Sequence, residues 1–115
     1  MRRSSMALSA LLILGALFLN GDAAKSAAAL PVPSRVAVVI ENYSFQPDPV
    51  TVAVGTTVTW TNRDEVAHNV VSNEKLFSSP ELEVNQSFEY TFKKAGTFNY
   101  FCSIHPEMKG KVIVK

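Results

Sequence analysis

Residues 101–114 read FCSIHPEMKGKVIV and lie near the end of a 115-residue chain. They supply a thiol (Cys102), an imidazole (His105) and a thioether (Met108), with two residues between each donor and the next. The apolar residues on either side alternate with other residues, which predicts a short loop between two β-strands. This loop therefore gathers three side chains that can bind a metal ion.

The chain contains one further histidine, His68, which lies on a different predicted strand. A thiolate, two imidazoles and a weak thioether form the donor set that copper accepts and most other metals do not. We therefore predict a copper site made of His68, Cys102, His105 and Met108, which closes only when the domain folds. Zinc is the main alternative metal, but a structural zinc site uses more cysteine and histidine and no methionine.

Each of these residues also has an ordinary structural explanation. A lone cysteine is usually a small buried apolar residue, a lone histidine in a strand packs in the core or at its rim, and a lone methionine fills space. Their joint occurrence at this spacing favours the metal site over separate packing roles. Trp60 shares a predicted strand face with Val58 and is interpreted as a core residue, with an electron relay or docking aromatic as the alternative.

Alternating apolar residues predict about seven short strands, with turn signals between them. The strands cover residues 35–41, 50–54, 56–62, 66–71, 86–94, 97–102 and 111–115. Residues 72–84 are polar and are interpreted as an irregular crossover with one helical turn, in which only Leu76, Phe77, Leu82 and Val84 are candidates for burial. This pattern predicts an all-β fold, a Greek-key β-sandwich.

Strand alternation also predicts the direction of the thiol. Cys102 shares its strand face with Phe98 and Tyr100, which the aromatic pattern assigns to the core. We therefore expect the Cys102 side chain to point inward at the end of a strand. His105 follows in the loop and is free to turn back toward the sulfur.

Residues 1–29 are predicted to be a cleavable secretory signal with a small-residue tail, and residues 30–115 a single copper-binding domain. A basic start at Arg2 and Arg3 precedes an apolar run of 13 residues, 7–19, which is too short to span a bilayer. Export to the periplasm is therefore expected, with no stable membrane insertion after cleavage; retention as a membrane tether is the alternative. The candidate cleavage points lie after Ala23, Ala28 and Ala29.

Composition and charge exclude several classes of function. The formal net charge of +1 argues against a nucleic-acid binder, and the length leaves no room for a substrate domain beside the site. Exported proteins usually pair their cysteines, but this chain has a single one. Intermolecular pairing, a reactive thiol or a metal ligand protected by its metal would each account for that cysteine. We expect a monomer.

The sequence resembles the cupredoxins, the plastocyanin/azurin family of blue copper proteins, and within that family it looks most like the amicyanins. The matching residues run through nearly all of the predicted domain: Phe45-x-Pro47, Val50-x-Val52, Gly55, Val58-x-Trp60-x-Asn62-x-Asp64, His68-Asn69-Val70, Gly96-x-Phe98-x-Tyr100-x-Cys102-x-x-His105-Pro106-x-Met108 and Gly110-x-Val112. The short spacing of His105 and Met108 matches the amicyanin ligand loop. The resemblance implies an eight-stranded Greek-key sandwich with copper at one end.

The resemblance also implies a role for each matching residue. His68 and His105 would bind copper through ring nitrogens, with His105 at the surface. Cys102 would supply the thiolate and Met108 a long axial bond. Asn69 would brace the loop and form a hydrogen bond near the sulfur, a contact that tunes such a site.

The implied function is one-electron transfer between Cu(II) and Cu(I), without enzymatic activity, by a protein whose redox partners dock near His105. Copper carriage or storage is the alternative, although the exposed methionine-rich donors of a transfer protein are missing. A thiol enzyme using Cys102 is a third possibility, which the inward direction of the thiol opposes. Ile104 and Glu107 depart from the amicyanin pattern, which has proline and a bulky apolar residue there, so the partner of the amicyanins is not carried over.

Overall fold

The computed structural model describes residues 34–115, in which all regular secondary structure is β-strand. Eight strands follow along the chain: β1 (Arg35–Glu41), β2 (Ser44–Gln46), β3 (Val50–Val52), β4 (Thr57–Asn62), β5 (Val71–Ser72), β6 (Ser87–Thr91), β7 (Gly96–Phe101) and β8 (Lys109–Val114). Between residues 34 and 115, no helix has the length and apolar character needed to cross a membrane. The predicted secretory signal, residues 1–29, lies outside the described residues.

The strands form two four-stranded sheets, in the orders β2-β1-β4-β6 and β3-β8-β7-β5. β1 pairs in parallel with β4, and β3 pairs in parallel with β8, whereas the other neighbours are antiparallel. Parallel neighbours cannot be joined by a tight hairpin, and the chain changes sheet at each connection from β2 to β7. The predicted all-β Greek-key sandwich is confirmed.

The core between the two sheets is apolar and rich in aromatic rings. Trp60 is fully buried and lies edge-on to Tyr100, with 5.3 Å between the ring centroids. The interpretation of Trp60 as a core residue is therefore confirmed. The alternating residues Val38, Ile40, Val58, Phe92, Val112 and Val114 are also buried, as strand parity predicts.

Two predictions for residues 42–56 are wrong. Residues 44–46 form a strand, β2, between the first two predicted strands, where no strand is predicted; Asn42 and Tyr43 take positive φ angles of 55° and 57° and so reverse the chain directly after β1. The third strand ends at Val52, and Val54 is 49% exposed. Val54 instead belongs to a turn that the Thr56 N–H closes by donating to the Ala53 carbonyl.

The helical turn predicted within residues 72–84 is also wrong. The backbone bonds of this segment run across to neighbouring chain: the Ser79 N–H donates to the Val70 carbonyl, and the Ser72 N–H to that of Phe77. Phe77 and Leu82 are buried as expected, whereas Leu76 and Val84 are exposed. Tertiary pairing, which a local pattern does not contain, therefore determines this segment.

The two ends of the sandwich are built from different loops. At the upper end lie residues 41–43, 63–70, 80–86 and 102–108. Backbone hydrogen bonds from Asn62 to Gln86 and from Cys102 to Met108 help to close these loops. At the lower end lie residues 53–56, 92–95 and 115, tied by bonds from Gly55 N–H to the Phe92 carbonyl and from Val54 N–H to the Lys115 carbonyl. The predicted metal-binding residues all lie at or beside the upper end.

The close packing of Gly110, at the start of β8, against Tyr100 can be tested by substitution. Gly110 is opposite Tyr100, and a Cβ added to Gly110 would lie only 2.5 Å from the tyrosine ring. We expect Gly110→Ala to lower the free energy of unfolding by about 1–3 kcal/mol, the usual cost of overpacking. Urea denaturation measures this loss. Lys111→Ala removes an exposed side chain from the same strand and should change stability by less than about 0.5 kcal/mol; equal midpoints for the two variants would contradict the packing.

Candidate metal centre

The structure brings three of the predicted ligands together at the upper end. His68 lies between β4 and β5 and pairs with Leu82 in an isolated bridge, Cys102 directly follows β7, and His105 lies in the loop before β8. The Cys102 Sγ atom is 3.8 Å from His68 Nδ1 and 3.9 Å from His105 Nδ1. All three donor atoms lie within 4.8 Å of one another, an arrangement that can hold a metal ion.

These separations fit a bound metal ion. Nitrogen and sulfur donors bind an ion of the size of zinc at about 2.0–2.3 Å, which leaves neighbouring donor atoms roughly 3.5–4 Å apart. Structural zinc sites use four cysteine or histidine donors, whereas residues 34–115 contain three such side chains here. A thiolate with two imidazoles suits copper better.

The loop that carries the donors is closed by its own backbone. The Met108 N–H donates to the His105 carbonyl at 2.9 Å, and the Cys102 N–H donates to the Met108 carbonyl at 3.1 Å. Met108 itself is 3% exposed. These bonds hold the first and last residues of the loop together, so Met108 lies near the other three side chains; its binding to a metal remains a prediction.

The three donors differ in their access to solvent. His68 and Cys102 are fully buried, whereas His105 is partly exposed. The inward direction of the Cys102 side chain, predicted from strand parity, is confirmed. The site is therefore enclosed by protein on one side and reaches the surface through a single imidazole.

A carboxylate fixes the orientation of the buried imidazole. His68 Nε2 is 2.8 Å from Asp64 Oδ2. Because a carboxylate only accepts hydrogen bonds, Nε2 carries the hydrogen and the Nδ1 lone pair points to the site. Burial raises the pKa of Asp64, but hydrogen bonds from the Tyr43 and Asn42 amides and from His68 outweigh that effect, so the pKa lies below its usual value.

Asn62 supports the loop that carries Asp64 and His68. Its side chain is fully buried, and its Nδ2 donates to the carbonyls of Val66 at 2.9 Å and Leu82 at 2.8 Å. Its Oδ1 accepts the Asp64 N–H at 2.9 Å. One amide side chain therefore binds three backbone groups at the edge of the core, of which the Leu82 carbonyl also accepts the His68 N–H.

Asn69 connects the two loops of the site. Its backbone N–H points to Cys102 Sγ at 3.4 Å, and its side chain forms two bonds of 2.7 Å with the Ser103 N–H and hydroxyl. A donor near the sulfur stabilises negative charge on a thiolate. Asn69 thus lies where the sequence placed it, and its influence on a bound metal remains a prediction.

Four residues of the site have no role predicted from sequence: Asn62, Asp64, Tyr43 and Ser103. The matching motif Asn62-x-Asp64 contained the first two, and a carboxylate four residues before the histidine was a usable signal. Tyr43 left no such signal, because its position depends on the left-handed turn after β1. Its ring is half exposed and lies about as close to the His105 ring, at 5.0 Å between centroids, as to the His68 ring, at 5.2 Å.

A groove of about 530 Å³ lies elsewhere on the described surface. It is lined by Glu74, Leu76, Tyr90, Thr91, Phe92, Lys93, Lys94 and Phe98. This lining contains none of the four predicted ligands, so the groove offers no substrate pocket to Cys102.

Comparison with known proteins gives concordant matches. The sequence profile of the cupredoxin-like domain matches residues 9–114. Amicyanin from Paracoccus denitrificans is 37% identical over 94 residues, which cover 77% of this chain and 72% of that protein. Because the profile match begins within the predicted signal segment, the domain boundary at residue 30 remains a prediction.

Two solved structures show the same sandwich. A purple cupredoxin from Nitrosopumilus maritimus superposes with a TM-score of 0.67 at 35% identity, covering 70% of this chain and 99% of that one. The Cu(I) form of an amicyanin mutant also gives a TM-score of 0.67 at 35% identity, covering 77% of this chain and 89% of that one. The resemblance recognised from sequence is therefore confirmed.

Proposed function

Since this chain belongs to the cupredoxin family, we propose that it is a type 1 (blue) copper protein that carries single electrons between redox partner proteins. The observation that supports this function is the convergence of His68, Cys102 and His105 within 4.8 Å. Copper held there by these three residues and by Met108 would supply a one-electron couple between Cu(II) and Cu(I). The fold around these side chains serves to hold the donor atoms in place.

The supports of the site suit electron transfer. His68 is held by Asp64, the Cys102 sulfur receives the Asn69 N–H, and the Met108 backbone closes the ligand loop. Because these contacts come from strand ends and short loops, the donors move little when the charge of the site changes. A small rearrangement between two oxidation states favours fast electron exchange.

The surface around His105 suits the docking of a partner. Tyr43, Val66 and Ile104 are 50%, 40% and 39% exposed and lie in the upper-end loops with His105; we call these four residues the docking patch. Exposed apolar patches that surround a functional group are typical of interaction sites. An electron would enter or leave through the His105 edge while the patch excludes water from the contact.

The charges at the two ends of the sandwich differ in sign. The upper-end loops carry Glu41, Asp64, Glu65, Glu81, Glu83 and Glu107 but only one basic residue, Arg63. The lower end carries Lys93, Lys94 and Lys115 and no acidic side chain. Between residues 34 and 115, a single ion pair involves an arginine or lysine, and it joins Arg35 to Glu89. Within this range, no upper-end carboxylate is therefore paired with an arginine or lysine. The partner is therefore expected to be basic around its own docking site.

The alternatives receive less support. Copper carriage or storage favours exposed methionine donors, whereas the methionine in the described part of the chain, Met108, is buried. A thiol enzyme needs an accessible nucleophile, and Cys102 is fully buried. We place the protein in the periplasm as a monomer after removal of residues 1–29; cleavage and location follow from the predicted signal alone.

The visible spectrum tests the proposed site. Protein loaded with Cu(II) should show intense absorption near ~600 nm from the copper–thiolate bond, and ascorbate should bleach it reversibly. Cys102→Ser should abolish this band, and His68→Ala should weaken or shift it. Lys93→Ala, at the lower end, is the control and should leave the band unchanged. A colourless wild-type Cu(II) protein would contradict the proposal.

Reaction with small redox reagents tests the charged upper end. Oxidation of the reduced protein by cationic tris(phenanthroline)cobalt(III) should slow roughly tenfold as ionic strength rises from about 0.01 to 0.5 M, whereas oxidation by anionic ferricyanide should accelerate. Glu107→Gln should weaken both salt dependences. Glu74→Gln makes the same charge change outside the upper-end loops and should have little effect. Identical salt dependence for both reagents would contradict a basic partner.

A further inference from the structure

We propose that Tyr43, held by Asp64, is a positioning residue that fixes the two imidazoles of the site relative to each other. This inference rests on the proposed copper site, because the imidazoles in question belong to its predicted ligands. It concerns a residue outside the ligand set and a contact that the sequence motifs do not contain. Tyr43 would set how rigidly His105 is held while electrons are exchanged.

Three aromatic rings pack against one another around the site. The Tyr43 ring lies edge-on to His68 at 5.2 Å and 84°, and edge-on to His105 at 5.0 Å and 85°. The two imidazole centroids are 4.9 Å apart. These distances lie in the favourable range for edge-to-face contacts. In the described part of the chain, Tyr43 is the one other aromatic ring that touches either imidazole.

The backbone at Tyr43 takes a conformation that needs support. Asn42 and Tyr43 both have left-handed φ angles, which asparagine tolerates but a tyrosine rarely adopts. The Asn42 N–H donates to Asp64 Oδ1 at 2.8 Å, and the Tyr43 N–H donates to Asp64 Oδ2 at 3.0 Å. Backbone strain that the surrounding structure maintains is concentrated at functional sites. The strained turn therefore points to a role for the ring that it presents.

Asp64 connects this turn to the buried imidazole. The same carboxylate that accepts both turn amides also accepts the His68 Nε2 hydrogen at 2.8 Å. A movement of Asp64 would therefore shift the Tyr43 ring and the His68 imidazole together. Through the Tyr43 ring, it would also reach His105.

The exposed imidazole is the one that needs a packing contact. His68 has a carboxylate partner and is fully buried, whereas His105 is partly exposed on a loop. Among the described residues, the side-chain polar contact of His105 is with Cys102 Sγ, through the Nδ1 atom that faces the proposed site. Besides the His68 ring, the aromatic ring that packs against His105 is Tyr43. Loss of this ring should increase the motion of His105 and slow electron exchange.

The test compares variants of Tyr43 in the Cu(I)-loaded and metal-free protein. Tyr43→Ala should broaden the imidazole NMR signals of His105 in both forms and slow electron self-exchange by about 2- to 10-fold, the factor that an edge-to-face contact is worth. Tyr43→Phe keeps the ring and should restore both properties. Leu76→Ala, which removes an exposed apolar side chain outside the upper-end loops, is the matched control and should resemble the wild type.

Asp64→Asn tests the connection between the two histidines. The amide retains one acceptor oxygen but cannot accept from all three donors. We expect the NMR signals of His68 and His105 to shift together in this variant, although Asp64 does not touch His105. A shift confined to His68 would contradict the coupling through Tyr43.

The outcomes separate this inference from the proposed function. Wild-type dynamics and exchange rate in a blue Tyr43→Ala protein would overturn the role of Tyr43 and leave the electron carrier intact. A colourless wild-type protein would overturn the proposed function, and the His105 signals of the metal-free protein would still report on Tyr43. If Tyr43→Ala does not fold, Tyr43→Leu keeps an apolar side chain without an aromatic edge and should give the same broadening; sharp His105 signals would then count against the proposal.

Discussion

The contact of 3.8 Å between His68 Nδ1 and Cys102 Sγ joins the two sheets of the sandwich at the upper end. His68 follows β4 of one sheet, and Cys102 follows β7 of the other. An imidazole and a thiol that are both fully buried require polar partners, since burial without them is costly. Asp64 and the Asn69 N–H provide these partners, and the remaining features of the site are arranged around them.

The strands with their aromatic core and the upper-end loops have different roles in the site. Paired strands and an aromatic core fix the positions of the strand ends, because interiors packed this closely resist small movements. The upper-end loops then place three donor atoms, a docking patch and an excess of carboxylates within one region. Rigidity near His68 and access at His105 therefore come from the same small domain, which is the combination that an electron carrier requires.

The direction of Cys102, the ligand loop and the family could be predicted from sequence because each depends on a local pattern of residues. Strand alternation gave the inward direction of Cys102, and the spacing in residues 102–108 placed His105 and Met108 on one loop. The motif residues led to the cupredoxin family, which the comparisons confirm.

The features that could not be predicted from sequence depend on contacts between distant parts of the chain. The turn at Tyr43 exists because Asp64, 21 residues away, binds its backbone. The exposure of Val54 and the irregular path of residues 72–84 reflect pairing partners that alternation does not contain. The charge difference between the ends is also hidden in a nearly neutral composition, since the topology alone decides which loops meet.

Crystal structures of the metal-free and copper-loaded forms test the central claim most directly. We expect one copper ion bound by His68 Nδ1, Cys102 Sγ and His105 Nδ1, with these donors in nearly the same positions in both forms. A copper ion bound elsewhere, or a His68 imidazole that lies several ångströms from the Cys102 sulfur, would contradict it.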